Sequence, residues 1–75
     1  MKIKLDEVNK VKEFLNVSKT FPSKILITSD IYKVDAKSIM GIFSLDLSKP
    51  IELTYDAKYN FFDNIFKKWE VKAGE

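Results

Sequence analysis

The chain contains no histidine, no cysteine and no arginine; all 13 of its basic residues are lysines. The first two absences exclude disulfides, thiolate catalysis and the common transition-metal sites. The third removes the side chain that reads guanine and phosphate through a bidentate fork. The lysines are interspersed with 11 carboxylates and the net charge is only +2, so no basic block marks a nucleic-acid face. No apolar run approaches membrane-spanning length, and Met1-Lys2-Ile3-Lys4-Leu5 is too short and too alternating for a signal peptide. The expectation is a cytoplasmic protein with no metal, no cofactor, no membrane association and no direct nucleic-acid partner.

What remains is enough to fold. Of 75 residues, 45% are hydrophobic and 13% aromatic, which is not a disordered composition. The length allows one domain over residues 1–75 with a modest core, and there is no repeat, linker or low-complexity segment. Met1 to Leu5 alternates as a half-buried strand. Asp6 suits an N-cap, and Val8, Val11, Phe14 and Leu15 then mark an amphipathic helix to about Ser18. Pro22 pushes Phe21 out of the helical region. Lys24 to Ser29 reads as a strand, Asp30-Ile31 as a turn without the usual glycine, and Tyr32 to Asp35 as the returning strand. Ser38 caps a short helix to about Leu45, Asp46 to Pro50 forms a loop, and Ile51 to Tyr55 is a further strand. Phe62, Ile65, Phe66 and Trp69 sit at i, i+3, i+4 and i+7 of a closing helix. The order βαββαβα, with helices enough for one face only, predicts an α+β open-faced β-sandwich: a four-stranded antiparallel sheet with three helices on one side.

Within that order, the segment Val34-Asp35-Ala36-Lys37-Ser38-Ile39-Met40-Gly41-Ile42-Phe43-Ser44-Leu45 stands out. It resembles the helix-opening signature of the HPr family, the small histidine-containing phosphocarriers of the bacterial sugar phosphotransferase system. The likeness runs without a gap from about Phe21 to Tyr55. Phe21 falls on the aromatic that ends the family's first helix, Val34 on a buried residue of the third strand, and Leu45 on the leucine closing the short helix. The family shares the βαββαβα order that the patterning predicts.

The resemblance fails where the family's chemistry lies. Its members carry a glycine-containing loop after the first strand, ending in His, a small residue, Arg and Pro; the histidine nitrogen takes phosphate. Here Leu5 runs almost directly into Asp6-Glu7-Val8-Asn9-Lys10. Laid back without a gap, Glu7 occupies the histidine position, Asn9 the arginine and Lys10 the proline. A carboxylate there repels phosphate. Asp46 also replaces a glycine expected after the short helix, a change a left-handed Asp tolerates.

The candidate site therefore lies elsewhere. The resemblance implies that Ser38 is a regulatory phosphorylation site, as well as an ordinary helix cap. Ile42 and Leu45 should point into the core, leaving Ile39, Met40 and Phe43 as a leftover apolar face. In the family the equivalent positions dock partner proteins, and Lys37 is expected in that protein-binding patch with them. Phe61, Phe62, Phe66 and Trp69 read as core or partial core, and Lys67 and Lys68 as solvated charge. Asp6, Glu7 and Asp35 read as capping and strand-end residues; no enzymatic function is expected. The resulting function is a regulatory protein-binding module, similar in logic to the catabolite-repression HPr proteins. Its implied partners are a serine kinase of HPr and a LacI-type transcription regulator. Two alternatives stay open: a phosphotransferase component using Glu7 as acceptor, and a small structural or assembly domain with the same fold.

Overall fold

Ile25 and Ile27 are fully buried while Leu26 and Thr28 are only partly covered, the alternation of a strand with one face on a core. The computed structural model describes residues 1–71 and confirms the order expected from such patterns. The elements are β1 (Lys2–Ile3), α1 (Val8–Thr20), β2 (Ile25–Ser29), β3 (Tyr32–Asp35), α2 (Ile39–Phe43), β4 (Ile51–Tyr55) and α3 (Asp63–Phe66). Single 3-10 stretches, Ala57–Phe62 and Lys67–Trp69, flank α3. The strands form one antiparallel sheet in the order β1-β4-β2-β3. The expected α+β open-faced sandwich is thus the observed fold. The last residues of the chain, 72–75, lie outside the described part.

One face of the sheet carries the core. Ile27 pairs with Val34 on one side and Leu53 on the other, and Ile3 with Ile51, so apolar residues line up across the strands. Phe14 of α1 meets Phe66 and Trp69 at ring-centroid distances of 5.7 and 5.5 Å. Phe21 gathers Tyr55, Tyr59 and Phe62 at 5.0, 5.1 and 4.5 Å. These tilted and edge-on contacts are the favoured aromatic geometries. The Tyr55 hydroxyl donates to the Asp63 carboxylate, tying β4 to α3. Burial, then that bond, raises the Tyr55 hydroxyl above the usual phenol range, so it remains a donor. Ser18 is the exception in this core: its buried hydroxyl has no partner among the described residues. Leaving such a group unpaired costs on the order of 1–3 kcal/mol.

Several sequence expectations shift by local physics. β1 is only Lys2–Ile3; Leu5 leaves the sheet yet stays buried. Asp6 is not the cap of α1. It accepts a 2.9 Å bond from Lys10, four residues on, and this bond holds its carboxyl below the ordinary carboxylate range. Glu7 takes the N-cap position without any side-chain capping bond, and Val8 beside it is 58% exposed. α1 continues past Ser18 to Thr20, stopping where Phe21 turns extended ahead of Pro22. Asp30 adopts the left-handed φ of 54° in the two-residue loop between the paired Ser29 and Tyr32. There Asp does what glycine does in most tight hairpins. Asp46, by contrast, is not left-handed; its carboxylate accepts the Ser48 N–H at 3.1 Å and hydroxyl at 2.6 Å, closing a side-chain turn.

The closing segment departs most. Asp56 accepts the Lys58 N–H at 3.0 Å and opens a 3-10 stretch, with a kink at Tyr59, instead of a continuous α-helix. Three residues per turn carries Phe61 off the buried side, to 64% exposure. The stripe that is covered is Phe62, Phe66 and Trp69, and Ile65 falls on its rim. Lys68 is exposed, as expected of a solvated charge, and its ammonium also pairs with the exposed Glu13 of α1. Beyond Trp69 the chain runs along β1. Lys4 N–H donates to the Trp69 carbonyl at 2.9 Å and Val71 N–H to the Lys2 carbonyl at 2.8 Å, with Ile3 bridged to Glu70.

Candidate functional site

The end of β3 builds the site by local hydrogen bonding. The Asp35 carboxylate accepts the Lys37 N–H at 2.8 Å, and the Asp35 carbonyl accepts the Ser38 N–H at 3.0 Å. This turn leaves Ser38 extended, with φ −100° and ψ 114°, as an N-cap requires. Its Oγ accepts the Gly41 N–H at 3.1 Å and its carbonyl accepts the Ile42 N–H at 3.0 Å. Gly41 also explains why α2 can lie so close to β3. A Cβ there would stand 3.3 Å from the Val34 Cβ and 3.4 Å from the Ser38 Oγ, crowding the strand and the cap together. Ser44 ends the helix, its hydroxyl donating to the Gly41 carbonyl at 2.6 Å.

This anchoring fixes which side of α2 is covered. Ile42 is completely buried and Leu45 nearly so, whereas Ile39, Met40 and Phe43 are 47%, 82% and 49% exposed. Ser38 is itself exposed at the head of that apolar face. The structure therefore brings Ser38, Ile39, Met40 and Phe43 onto one short element.

Lys37 does not join them. Its ammonium donates to the Phe21 carbonyl at 2.8 Å and so caps the C-terminal end of α1. The cation next to Ser38 in sequence is committed to another helix. No local signal marks this, because the partner is a backbone oxygen far up the chain. Lys37→Met keeps the aliphatic stem and removes the donor. We expect it to lower stability by about 1–2 kcal/mol, read as an earlier denaturant midpoint at unchanged slope. An unmoved midpoint would show that the bond contributes nothing.

Glu7 stands apart from this site, exposed at the start of α1, and no side-chain bond engages it. The nearest lysine in the first turn, Lys10, is held by Asp6. Among the described residues no cluster of His, Cys, Asp and Glu could hold a metal ion. No helix there is long and apolar enough to cross a membrane.

The chain is thus a small one-sided antiparallel sandwich of order βαββαβα, with a serine-capped helix seated beside its edge strand. The chain belongs to the HPr family of phosphotransferase-system phosphocarriers: the family described as PTS HPr component phosphorylation site matches residues 8–58, more than half of its length. The matched span takes in Ser38 and all of α2, and it begins one residue after Glu7. No curated protein and no solved structure matches the chain.

Proposed function

We propose that this chain is a regulatory HPr-like module: a single domain that binds proteins through α2 and does not carry phosphate on histidine. The observation that supports it best is the exposed apolar face of Ile39, Met40 and Phe43 directly beside the exposed Ser38 hydroxyl. Apolar side chains with a methionine among them suit an adaptable docking surface. A phosphate on Ser38 would place about −1.5 to −2 charges and three strong acceptors on the rim of that surface. A partner presenting Arg or Lys beside a hydrophobic pocket would then distinguish the two states through charge-assisted bonds.

Lys37 contributes indirectly in this reading. With its ammonium on Phe21, it steadies the start of α2 and leaves the phosphate free to be read by the partner's cations. The partners that fit are a serine kinase of HPr and a LacI-type transcription regulator, in the cytoplasm, with the chain acting as a binding module and not as an enzyme. Glu7 is the residue left at the lost histidine position, and it has no part in binding.

The test is to incubate the protein with the serine kinase of HPr and ATP and to map any phosphate. Wild type should be labelled on Ser38, and Ser38→Ala should not be labelled at all. Equal labelling of Ser38→Ala, or no labelling of wild type while a genuine HPr control is labelled, would reduce Ser38 to a helix cap.

A further inference from the structure

The two edges of the sheet are treated differently. The outer side of β1 is covered by residues 69–71, whereas β3 has no strand beyond it among the described residues. The pairing pattern shows which backbone groups that open edge presents. The hairpin closes on the Ser29–Tyr32 pair, and the Ala36 N–H donates to the Ile25 carbonyl at 2.9 Å. Tyr32, Val34 and Ala36 therefore direct their backbone groups toward β2, and Lys33 and Asp35 direct theirs outward. The outward Asp35 carbonyl already takes the Ser38 N–H and keeps a second lone pair.

The side chains on this edge are self-complementary. Lys33 and Asp35 are two residues apart, both exposed, and both on the open face, since they pair with Thr28 and Leu26. Neither makes an ion pair among the described residues. One Asp35 oxygen is used by the Lys37 N–H, leaving the other available. An antiparallel pairing of two such edges about a twofold axis at Val34 sets Lys33 of each copy against Asp35 of the other. The same pair falls at a site where both residues point their N–H and C=O groups across the gap. Backbone and charge agree on one register, and a slip by one residue loses both.

The hairpin tip adds a second, separate feature. Ile31 is 90% and Tyr32 64% exposed. In that register Tyr32 lies opposite Ala36 of the second copy, which brings the exposed hairpin tip beside the turn leading into the other α2.

We propose that this chain pairs with a second copy of itself through β3, antiparallel and twofold about Val34, joining the two four-stranded sheets into one. The proposal is independent of any modification of Ser38. A lysine in the middle of a short edge normally discourages strand addition, and here it does so for every partner that lacks an acid at the matching position. The interface is small, so the association is weak and reversible.

Sedimentation equilibrium tests this between about 10 μM and about 1 mM, the range in which so small an interface associates. The apparent mass should rise with concentration from 8.7 kDa toward twice that value. Lys33→Pro removes both the ammonium and an N–H that the isolated chain does not use, and it should remain monomeric throughout. Lys33→Glu sets like charges together twice and should raise the dissociation constant at least about tenfold. Circular dichroism of both variants should match wild type, and a monomeric but unfolded Lys33→Pro would pass the decision to Lys33→Glu. A wild type that stays at the monomer mass overturns the proposal. So does association that survives both Lys33 changes and is removed by Phe43→Ser, which would place the contact on α2.

Discussion

A Phe66→Ala variant is expected to be largely unfolded at room temperature. Phe66 is completely buried and stands where the two aromatic groups meet, with Phe14 at 5.7 Å, Tyr55 at 5.5 Å, Trp69 at 6.2 Å and Phe21 at 6.3 Å. Truncating a buried phenylalanine costs about 3–5 kcal/mol through lost transfer energy and the cavity left behind. A single core in a chain of 75 residues gives only a few kcal/mol of net stability. The loss is therefore of the same size as the whole. Phe61→Ala, in the same segment but 64% exposed, should stay within about 0.5 kcal/mol of wild type. Urea titration followed by Trp69 fluorescence separates the two. A cooperative transition in Phe66→Ala within about 1 kcal/mol of wild type would show that the aromatic cluster is not what holds the helices to the sheet.

The second large effect is an absence of labelling. Incubated with phosphoenolpyruvate and the first enzyme of the phosphotransferase system, the protein should remain unmodified while a histidine-bearing HPr is labelled to completion. There is no imidazole anywhere in the chain. The acceptor we propose at the corresponding place is Glu7, an exposed carboxylate whose negative charge opposes the incoming phosphoryl group. Lys10, the cation closest to it in the first turn of α1, is drawn to Asp6 at 2.9 Å. An acyl phosphate formed there would have no fixed counter-charge. Rapid-quench mass spectrometry at neutral pH decides the point, and a labile phosphate on Glu7 would restore the carrier reading.

What could be read from the residues alone was whatever depends on near neighbours. Ser38 was legible as a cap because the bond it makes, to the Gly41 N–H, lies within one turn. The division of α2 into a covered side and an exposed side followed from simple spacing, as did the alternation in β2. Asp6 was misread because two adjacent acids both suit a cap, and only Lys10 four residues on decides between them. The 3-10 stretch from Ala57 was hidden because Tyr59 and Phe62, three apart, suit a period of 3.0 as well as one of 3.6. Lys37 on Phe21, Lys68 on Glu13 and the bridge from Ile3 to Glu70 join residues far apart in sequence. Nothing in the sequence around any of them announces its partner.

The joining of residues 69–71 to β1 sets the order in which the chain can assemble. Lys2–Ile3 is made well before its partners, Ile51–Tyr55 on one side and Trp69 to Val71 on the other. Phe14 likewise waits for Phe66 and Trp69 before its face of α1 is covered. The hairpin of β2 and β3, closed by two residues, has no such delay. Contacts of long sequence separation are slow to form because the loop must close before they stabilise anything. The nascent chain therefore carries an early hairpin beside an uncovered apolar helix, and the whole sheet locks only after Ile51–Tyr55 and residues 69–71 have been added.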